Sequence, residues 1–398
     1  MPETKKIRFA YLSGPVDGVQ VYEAWAKEAT LEYFGTSYLR QFYQVCADYG
    51  AEGYVVTTLP GEYNRQRVGD FVIENRPTPS GLSGLYYHFA YSIWMIKVVP
   101  RMICFRPNVL ILTVGPSYWI FLSILKLFGI VMIPAQHDSL WKRFAPMKAS
   151  WRILRRLEAL FFAVCVDGVI VAAESTAEQV RALVPRKKFR IEVFLPTYQR
   201  EQFAAVRGAD FDTRPFRVLF MGRIVPNKGI YDLLSVASQL GSHDYHFDIC
   251  GEGPELSSLR RKVEELNLKG SVSCHGFLDR NELYALIDHA HVVMVPTTTD
   301  FEEGFNMVCA EAILSGRPVI TSAVCPALAY IRDAAIEVPP NDVDKYRDAL
   351  VKLATDRDLF LQKQGACKGL QEQFYDTSNS WIAKLRVVLK AHFAAQPV

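Results

Sequence analysis

Short apolar runs with β-type composition alternate along this chain with longer stretches of helical periodicity, and the whole alternation occurs twice. In the first half the expected order is strand Ile7–Leu12, helix Ser37–Tyr49, strand Gly53–Thr58, strand Val109–Val114, helix Ser117–Leu127, strand Ile130–Ala135, helix Ser150–Ala163, strand Gly168–Ala172 and helix Thr176–Leu183. The second half runs through strands at 217–220, 246–250, 272–276, 292–295 and 319–321, with helices at 230–240, 254–266, 280–289, 305–315 and 343–356. Such alternation predicts parallel sheets covered by helices on both faces. Two successive units of nearly 200 residues predict two doubly wound, Rossmann-like α/β domains facing a cleft, and 398 residues exceed what one core usually organises. The expected division is 1–200, 201–376 and a final helix in 377–398 that folds back on the first domain, with the linker in Thr197–Pro215.

The segment from Asn108 to Ala135 is almost uninterruptedly apolar and competes with this account as a membrane span. Gly115-Pro116 and Lys126…Gly129 divide it into pieces of ordinary length, which fits a buried β-α-β unit better. The run Tyr86–Cys104, rich in Tyr, Trp, Met and Ile, fits either packing or a shallow place in a membrane interface. The eight Cys form no C-x-x-C pair and lie mostly in apolar runs, and Met1–Lys6 leads directly into a strand. Both points lead to the expectation of a reduced, cytoplasmic chain.

Charge is uneven. Residues 1–200 carry 24 Lys and Arg against 16 Asp and Glu, and residues 201–398 carry 21 against 26, which together give the net +3. Lys142, Arg143, Lys148, Arg152, Arg155 and Arg156 are interleaved with Trp141, Phe144 and Trp151, and Arg186, Lys187, Lys188 and Arg190 form a second cluster. The expected partner of such a basic, aromatic surface is an anionic membrane face or a lipid-linked acceptor rather than nucleic acid, since no nucleic-acid motif accompanies the charge.

Glu303 and Glu311 flank a short apolar run that contains Gly304, Phe305 and Asn306. Eight residues of helix rise roughly 12 Å, too far for two carboxylates to share a proton or a metal ion. The spacing suits a long polar ligand gripped at both ends, with a helix N-terminus between them for an anion. Gly222-Arg223 and Lys228-Gly229 follow the second half's first strand, where a doubly wound sheet places its ligands, and two cations there can clamp a diphosphate. Gly251-Glu252-Gly253-Pro254 ends the next strand with a glycine turn, and His275-Gly276-Phe277-Leu278 repeats the arrangement. No G-x-G-x-x-G follows either first strand, which sets aside a nicotinamide enzyme.

In this order, and with Val295-Pro296-Thr297 and Gly316-Arg317-Pro318-Val319-Ile320, these elements resemble the retaining glycosyltransferases of family 4, which have the GT-B fold. The resemblance is strongest over 216–355. It implies a nucleoside-diphosphate sugar as donor, no cofactor, and transfer to an acceptor hydroxyl in glycan or polysaccharide synthesis. Two cations that serve the diphosphate lead to the expectation of no metal, and the basic, aromatic first half to a lipid-linked oligosaccharide acceptor at the inner membrane face. Carried over by position, the resemblance implies that Arg223 and Lys228 neutralise the departing diphosphate, Glu303 bonds sugar hydroxyls and Glu311 bonds the ribose. Gly222, Gly251 and the backbone of Gly304, Phe305 and Asn306 border the donor, and Phe277 and Leu278 border its base. His137, in Ala135-Gln136-His137-Asp138, stands for the family's element beside the reacting sugar. Gly14, Gly18 and Asp138 fall on the acceptor side, where the sequence departs from the family: Gly14 is followed by Pro15, and an insertion runs through Trp25, Tyr33 and Phe34 to Gly35-Thr36-Ser37. The family's Pro-Asn-Gly before the linker is replaced by Leu195-Pro196-Thr197-Tyr198. A nucleotide-sugar epimerase or an idle donor-binding protein are the alternatives on the same fold.

Overall fold

The computed structural model describes residues 6–28, 37–147, 149–240, 244–301 and 303–394. Tyr33–Thr36 of the insertion and Lys148 of the basic cluster lie outside them. Fourteen strands form two sheets among the described residues. The first contains β1 (Arg8–Leu12), β2 (Glu52–Thr57), β3 (Asn64–Val68), β4 (Phe71–Asn75), β5 (Val109–Leu112), β6 (Val131–Gln136), β7 (Gly168–Val171) and β8 (Arg190–Val193), in the order β3-β4-β2-β1-β5-β6-β7-β8. Every pair is parallel except the β3–β4 hairpin. The second contains β9 (Phe216–Met221), β10 (Tyr245–Cys250), β11 (Val272–Gly276), β12 (Val292–Val295), β13 (Val319–Ser322) and β14 (Ala335–Val338), all parallel, in the order β11-β10-β9-β12-β13-β14.

The central strands are buried along their length: Val109–Leu112 and Val292–Val295 are all inaccessible or nearly so. That is why they read as continuous apolar runs rather than alternating ones. In each sheet the winding reverses beside its first strand, at β1/β5 and at β9/β12. A crevice opens at the carboxyl ends of such a pair, so Ser13-Gly14 and Thr113 face one crevice, and Gly222-Arg223 and Pro296-Thr297 the other.

The helices of the first domain are α1 (Gly18–Ala26), α2 (Tyr38–Asp48), α3 (Gly84–Ile96), α4 (Val99–Phe105), α5 (Ala149–Cys165) and α6 (Glu174–Leu183). Those of the second are α7 (Ile230–Ser238), α8 (Leu256–Glu265), α9 (Arg280–His289), α10 (Met307–Leu314), α11 (Leu328–Ile331), α12 (Val343–Thr355), α13 (Arg357–Leu370), α14 (Glu372–Tyr375) and α15 (Trp381–Ala394). The hydrophobic segment 108–135 is β5, a 3-10 helix at Pro116–Phe128, and β6; no helix among the described residues is long and apolar enough to cross a membrane. Trp119, Leu122 and Leu125 are buried at a spacing of three, the 3-10 period, so this connection is not the expected α-helix.

Several features had no clear signal. The strands β3, β4, β8 and β14, and helices α1, α3, α4 and α13, were not expected as elements. Helix α10 begins at Met307 rather than Phe305, because Asn306 takes a left-handed conformation, φ 70°, at its N-cap. The Gly316-Arg317-Pro318 motif proves to be architectural. Arg317 is fully buried and donates to the carbonyls of Ile287 (3.1 Å), Ala290 (2.8 Å) and Asp288 (3.0 Å), closing the C-terminus of α9. His275 is likewise held by Asp248 at 2.8 Å, which also pairs with Arg217 at 2.9 Å.

The two domains share one continuous core. Helix α15 leaves the second domain and packs against α2, β7 and β8 of the first. Gln41 Oε1 accepts from Ile382 N at 2.8 Å, Asp48 pairs with Arg386, and Leu195 N donates to Asn379 O at 2.8 Å. Trp381 is fully buried, with its ring 5.7 Å from Tyr11 and 6.3 Å from Tyr38. Trp381→Ala removes a large, fully buried side chain from this interdomain packing. A loss of about 3–5 kcal/mol is expected, read as a lowered midpoint in urea unfolding; an unchanged midpoint would show that α15 contributes nothing to holding the domains.

Candidate functional site

The second crevice is shaped by backbone contacts that only glycine allows. After β9, Gly222 turns with φ 151° and its N–H bonds Cys250 O at 3.0 Å. A Cβ on Gly251 would lie 1.8 Å from Gly222 O, so the turns after β9 and β10 touch main chain to main chain. A 3-10 turn, Pro226–Lys228, then ends at Gly229, φ 76°, where a Cβ would lie 1.9 Å from Pro296 O. This pins Lys228 beside the end of β12.

From there Lys228 Nζ reaches Glu303 Oε2 at 2.6 Å. The same carboxylate oxygen accepts from Thr297 Oγ1 and from Asn306 Nδ2, both at 3.1 Å. Asn306 therefore spends its side chain on Glu303 rather than on capping α10. The ring of Phe301 lies 4.3 Å from Lys228 Nζ and 5.8 Å from the Arg223 guanidinium, a cation–π floor beneath both cations. Arg223 itself stays exposed at the rim.

Glu311 sits deeper, on α10, only 7% exposed, and accepts from the Tyr198 hydroxyl at 3.1 Å. Burial pushes its carboxyl up to about 7, against the smaller opposing effect of the Tyr198 bond. Tyr198 belongs to the segment that crosses between the domains, and its N–H bonds Phe374 O at 2.9 Å.

The first domain meets this group at the end of β6. Ser139 Oγ donates to Glu303 O at 2.9 Å, and a Cβ on Gly304 would lie 2.0 Å from His137 O and 3.2 Å from Asp138 Oδ1. Gly304 is thus the close approach between the domains. The His137 ring packs on Tyr38 (centroids 4.2 Å) and Phe194 (5.3 Å), and its Nε2 has no hydrogen-bond partner. Burial lowers its pKa to about 4, so the ring is neutral at pH 7. The Asp138 carboxyl is raised, first by desolvation and then by Glu303, while Lys228 and Arg223 pull it down.

Arg223, Lys228, Thr297, Phe301, Glu303, Asn306, His137 and Asp138 border a cleft of about 630 Å³ that also takes in Gly222, Phe305 and Glu311. A second cleft, about 720 Å³, is bordered by Tyr11, Ser13, Gly14, Asp17, Gln20 and Thr113. Tyr38 and His137 line both, so the two spaces meet at one wall. Four expected residues stand elsewhere. Gly251 shapes the turn without lining the cleft. Phe277 is 71% exposed after β11 and Leu278 packs against the core. Gly18 is buried, accepts from Tyr43 at 2.8 Å, and has Ile73 Cγ2 2.8 Å from where its Cβ would be: a packing glycine, not one that faces the second cleft. Tyr38, Ser139, Tyr198 and Phe301 were not picked out from sequence, because no local pattern ties them to partners more than 70 positions away. Among the described residues no three His, Cys, Asp or Glu side chains gather where they could hold a metal ion.

Two doubly wound domains with a cleft at their facing switch points define the GT-B architecture. Residues 202–366 match the model of the glycosyl transferases group 1 family. Over 142 residues the chain is 30% identical to 2-deoxystreptamine N-acetyl-D-glucosaminyltransferase of Niallia circulans, covering 35% of this chain and 36% of that protein; it thus spans about a third of that curated relative's length. The fold matches sucrose-phosphate synthase of Thermosynechococcus elongatus over 98% of this chain and all of that one, with a TM-score of 0.73 and 17% identity. It also matches Anabaena HepE in complex with UDP over 98% of this chain and all of that one, with a TM-score of 0.64 and 14% identity.

The raised Glu311 carboxyl sets a pH dependence. Its folded value, about 7, lies above the ordinary 4.5, so the folded state holds this proton more tightly than the unfolded state. The stability from that proton is complete below pH 4.5 and is lost as pH rises through 7. Glu311→Gln keeps an acceptor for Tyr198 and removes the titration. Wild-type melting temperature, measured relative to this variant, should fall between pH 4.5 and 7 and level off above; a flat difference would show that the carboxyl is not held protonated.

Proposed function

We propose that the protein is a retaining glycosyltransferase that moves a sugar from a nucleoside-diphosphate sugar to an acceptor hydroxyl in glycan or lipid-linked oligosaccharide synthesis. The observation that carries the reading is the pair of clefts meeting at Tyr38 and His137, with the two cations, Arg223 and Lys228, lining the second-domain cleft and no Lys or Arg among the described residues that line the first-domain one. The second-domain side suits a donor whose diphosphate lies against Arg223, Lys228 and the amides before α10, and whose ribose reaches Glu311. The first-domain cleft, at Gly14 and Asp17, suits the acceptor.

In this reading the C1–oxygen bond to the diphosphate breaks and its electron pair goes to the phosphate oxygen. Arg223 and Lys228 stabilise the charge that develops there, which is the main demand of an oxocarbenium-like transition state. The acceptor oxygen bonds C1 from the same face, and its proton passes to the departing phosphate oxygen. Glu303 holds Lys228 and orients the sugar hydroxyls; neutral His137, with a free ring nitrogen in the wall between the clefts, bonds the sugar or the acceptor. Two fixed cations supply the positive charge, so metal independence is part of the proposal. The place is cytoplasmic, peripheral to the inner membrane face.

The test is release of nucleoside diphosphate from a panel of nucleotide sugars, with and without EDTA, with the anomeric configuration of the product read by NMR. Turnover with retained configuration that survives EDTA is expected, and loss with EDTA would overturn metal independence. Lys228→Ala should lower turnover about 10²–10³-fold. Normal turnover in that variant would remove Lys228 from the clamp, and isomerised donor formed without acceptor would favour an epimerase instead.

A further inference from the structure

The first domain carries an apolar surface that its own fold does not use. On α3, Leu85, Phe89, Ile93 and Ile96 are exposed at spacings of four, four and three, while Tyr91, Trp94 and Met95 are buried on the other side. On α5, Ile153, Leu157, Leu160 and Val164 are exposed at four, three and four, with Phe161 and Phe162 buried. The 3-10 helix between them exposes Phe121, Ile124 and Leu127 at spacings of three and buries Leu122 and Leu125. Each element thus shows a second apolar stripe at its own helical period, which scattered surface apolar residues do not do. The three elements are adjacent, since both α3 and α5 pack on the 3-10 helix, and so the stripes form one face.

The charge around this face is mainly basic. From Glu74 to Asp167 the sequence holds eleven Lys and Arg (Arg76, Lys97, Arg101, Arg106, Lys126, Lys142, Arg143, Lys148, Arg152, Arg155 and Arg156) against four acids, of which Glu74 pairs with Arg76 and Asp167 with Lys126, leaving Asp138 and Glu158. Asp138 belongs to the cleft and Glu158 is buried. Lys97, Lys142, Arg143, Arg152 and Arg156 are exposed on α3, on α5 and in the turn before α5. A contiguous apolar face rimmed by cations complements a surface with an apolar interior and anionic heads, which is an anionic bilayer. A nucleic acid would meet the cations and leave the apolar stripes in water. No helix among the described residues is long and apolar enough to span, so the face lies on the bilayer rather than through it.

The face also stands beside an opening shared by the two domains. A cavity of about 370 Å³ opens at the start of α5, lined by Trp141, Met147 and Trp151 from the first domain and by Asp300 from the second. Asp300 precedes Phe301, whose ring lies against Lys228. We propose that the α3, 3-10 and α5 face docks the protein on anionic lipid and that this cavity admits a lipid-linked acceptor from the bilayer to the cleft. The acceptor half of this proposal rests on the glycosyl-transfer reading; the docking half does not.

The test is co-sedimentation of the full chain with phosphatidylcholine vesicles, with and without phosphatidylglycerol, and with no sugar donor present. Binding is expected only with the anionic lipid and should weaken as salt is raised. Phe89→Glu combined with Leu127→Glu, both at exposed positions, should weaken it at least about tenfold, with melting temperature and nucleoside-diphosphate binding unchanged. A separate Lys142→Glu, Arg143→Glu, Arg152→Glu variant tests the rim and should also lose binding. Absence of vesicle binding, or equal binding by the apolar-face variant, would overturn the docking. So would self-association in sedimentation velocity that the same variant abolishes, because the occupant would then be a second copy. If docking holds, equal turnover of a water-soluble and a lipid-linked acceptor on vesicles would overturn the cavity's role.

Discussion

The contact between Lys228 and Glu303 is the constraint around which both domains are arranged. Two opposite charges, each largely shut off from water, approach to 2.6 Å, and the carboxylate takes two further hydrogen bonds. Such a pair gives little net stability, because desolvation offsets the attraction, but losing one partner leaves an uncompensated buried charge and costs about 3–5 kcal/mol. The neighbouring residues follow from this. Gly229 brings the Lys228 backbone against Pro296, Asn306 gives up its role as a side-chain cap, and Gly304 has no side chain where His137 and Asp138 approach. The ion pair and the domain contact are one structure.

Much of this was legible in the sequence, for a physical reason. Parallel strands buried on both faces must be apolar throughout, so β9, β12 and their neighbours stand out from amphipathic helices. Turns that bring main chain against main chain must be glycine, so Gly229 and Gly251 mark the crevice, beside Gly222 with its φ of 151°. Residues whose role depends on a distant partner were not legible. Tyr198 and Glu311 are 113 positions apart, and Ser139 and Glu303 164. Gly18 packs against Ile73, His275 is held by Asp248, and Phe277 stands exposed after β11, so their places follow from packing and strand ends that a residue type alone does not reveal. The hairpin β3–β4 was missed because Asn64–Val68 is polar and exposed along an edge, where burial imposes no apolar pattern.

The apolar segment at 108–135 and the run at 86–104 had two readings each from sequence alone, span or core for one, interface or core for the other. The structure divides the residues by face rather than by segment. The inward side of α3, the 3-10 helix and α5 is core, and the outward side also carries exposed apolar stripes. Hydropathy along a sequence averages the two faces, and so cannot separate a buried helix from one that also presents apolar residues outward.

Tyr198 connects matters further. It sits in the strand of chain that crosses from one domain to the other, tied by its N–H to Phe374 and by its hydroxyl to Glu311. The carboxylate that faces the cleft is thereby also an anchor point for the crossing segment. A hydroxyl-bearing guest that takes over Glu311 competes with Tyr198 for the same oxygen and slackens one end of the tether. Filling the pocket and releasing Tyr198 from Glu311 are then two sides of one equilibrium, and each must shift the other by the same free energy.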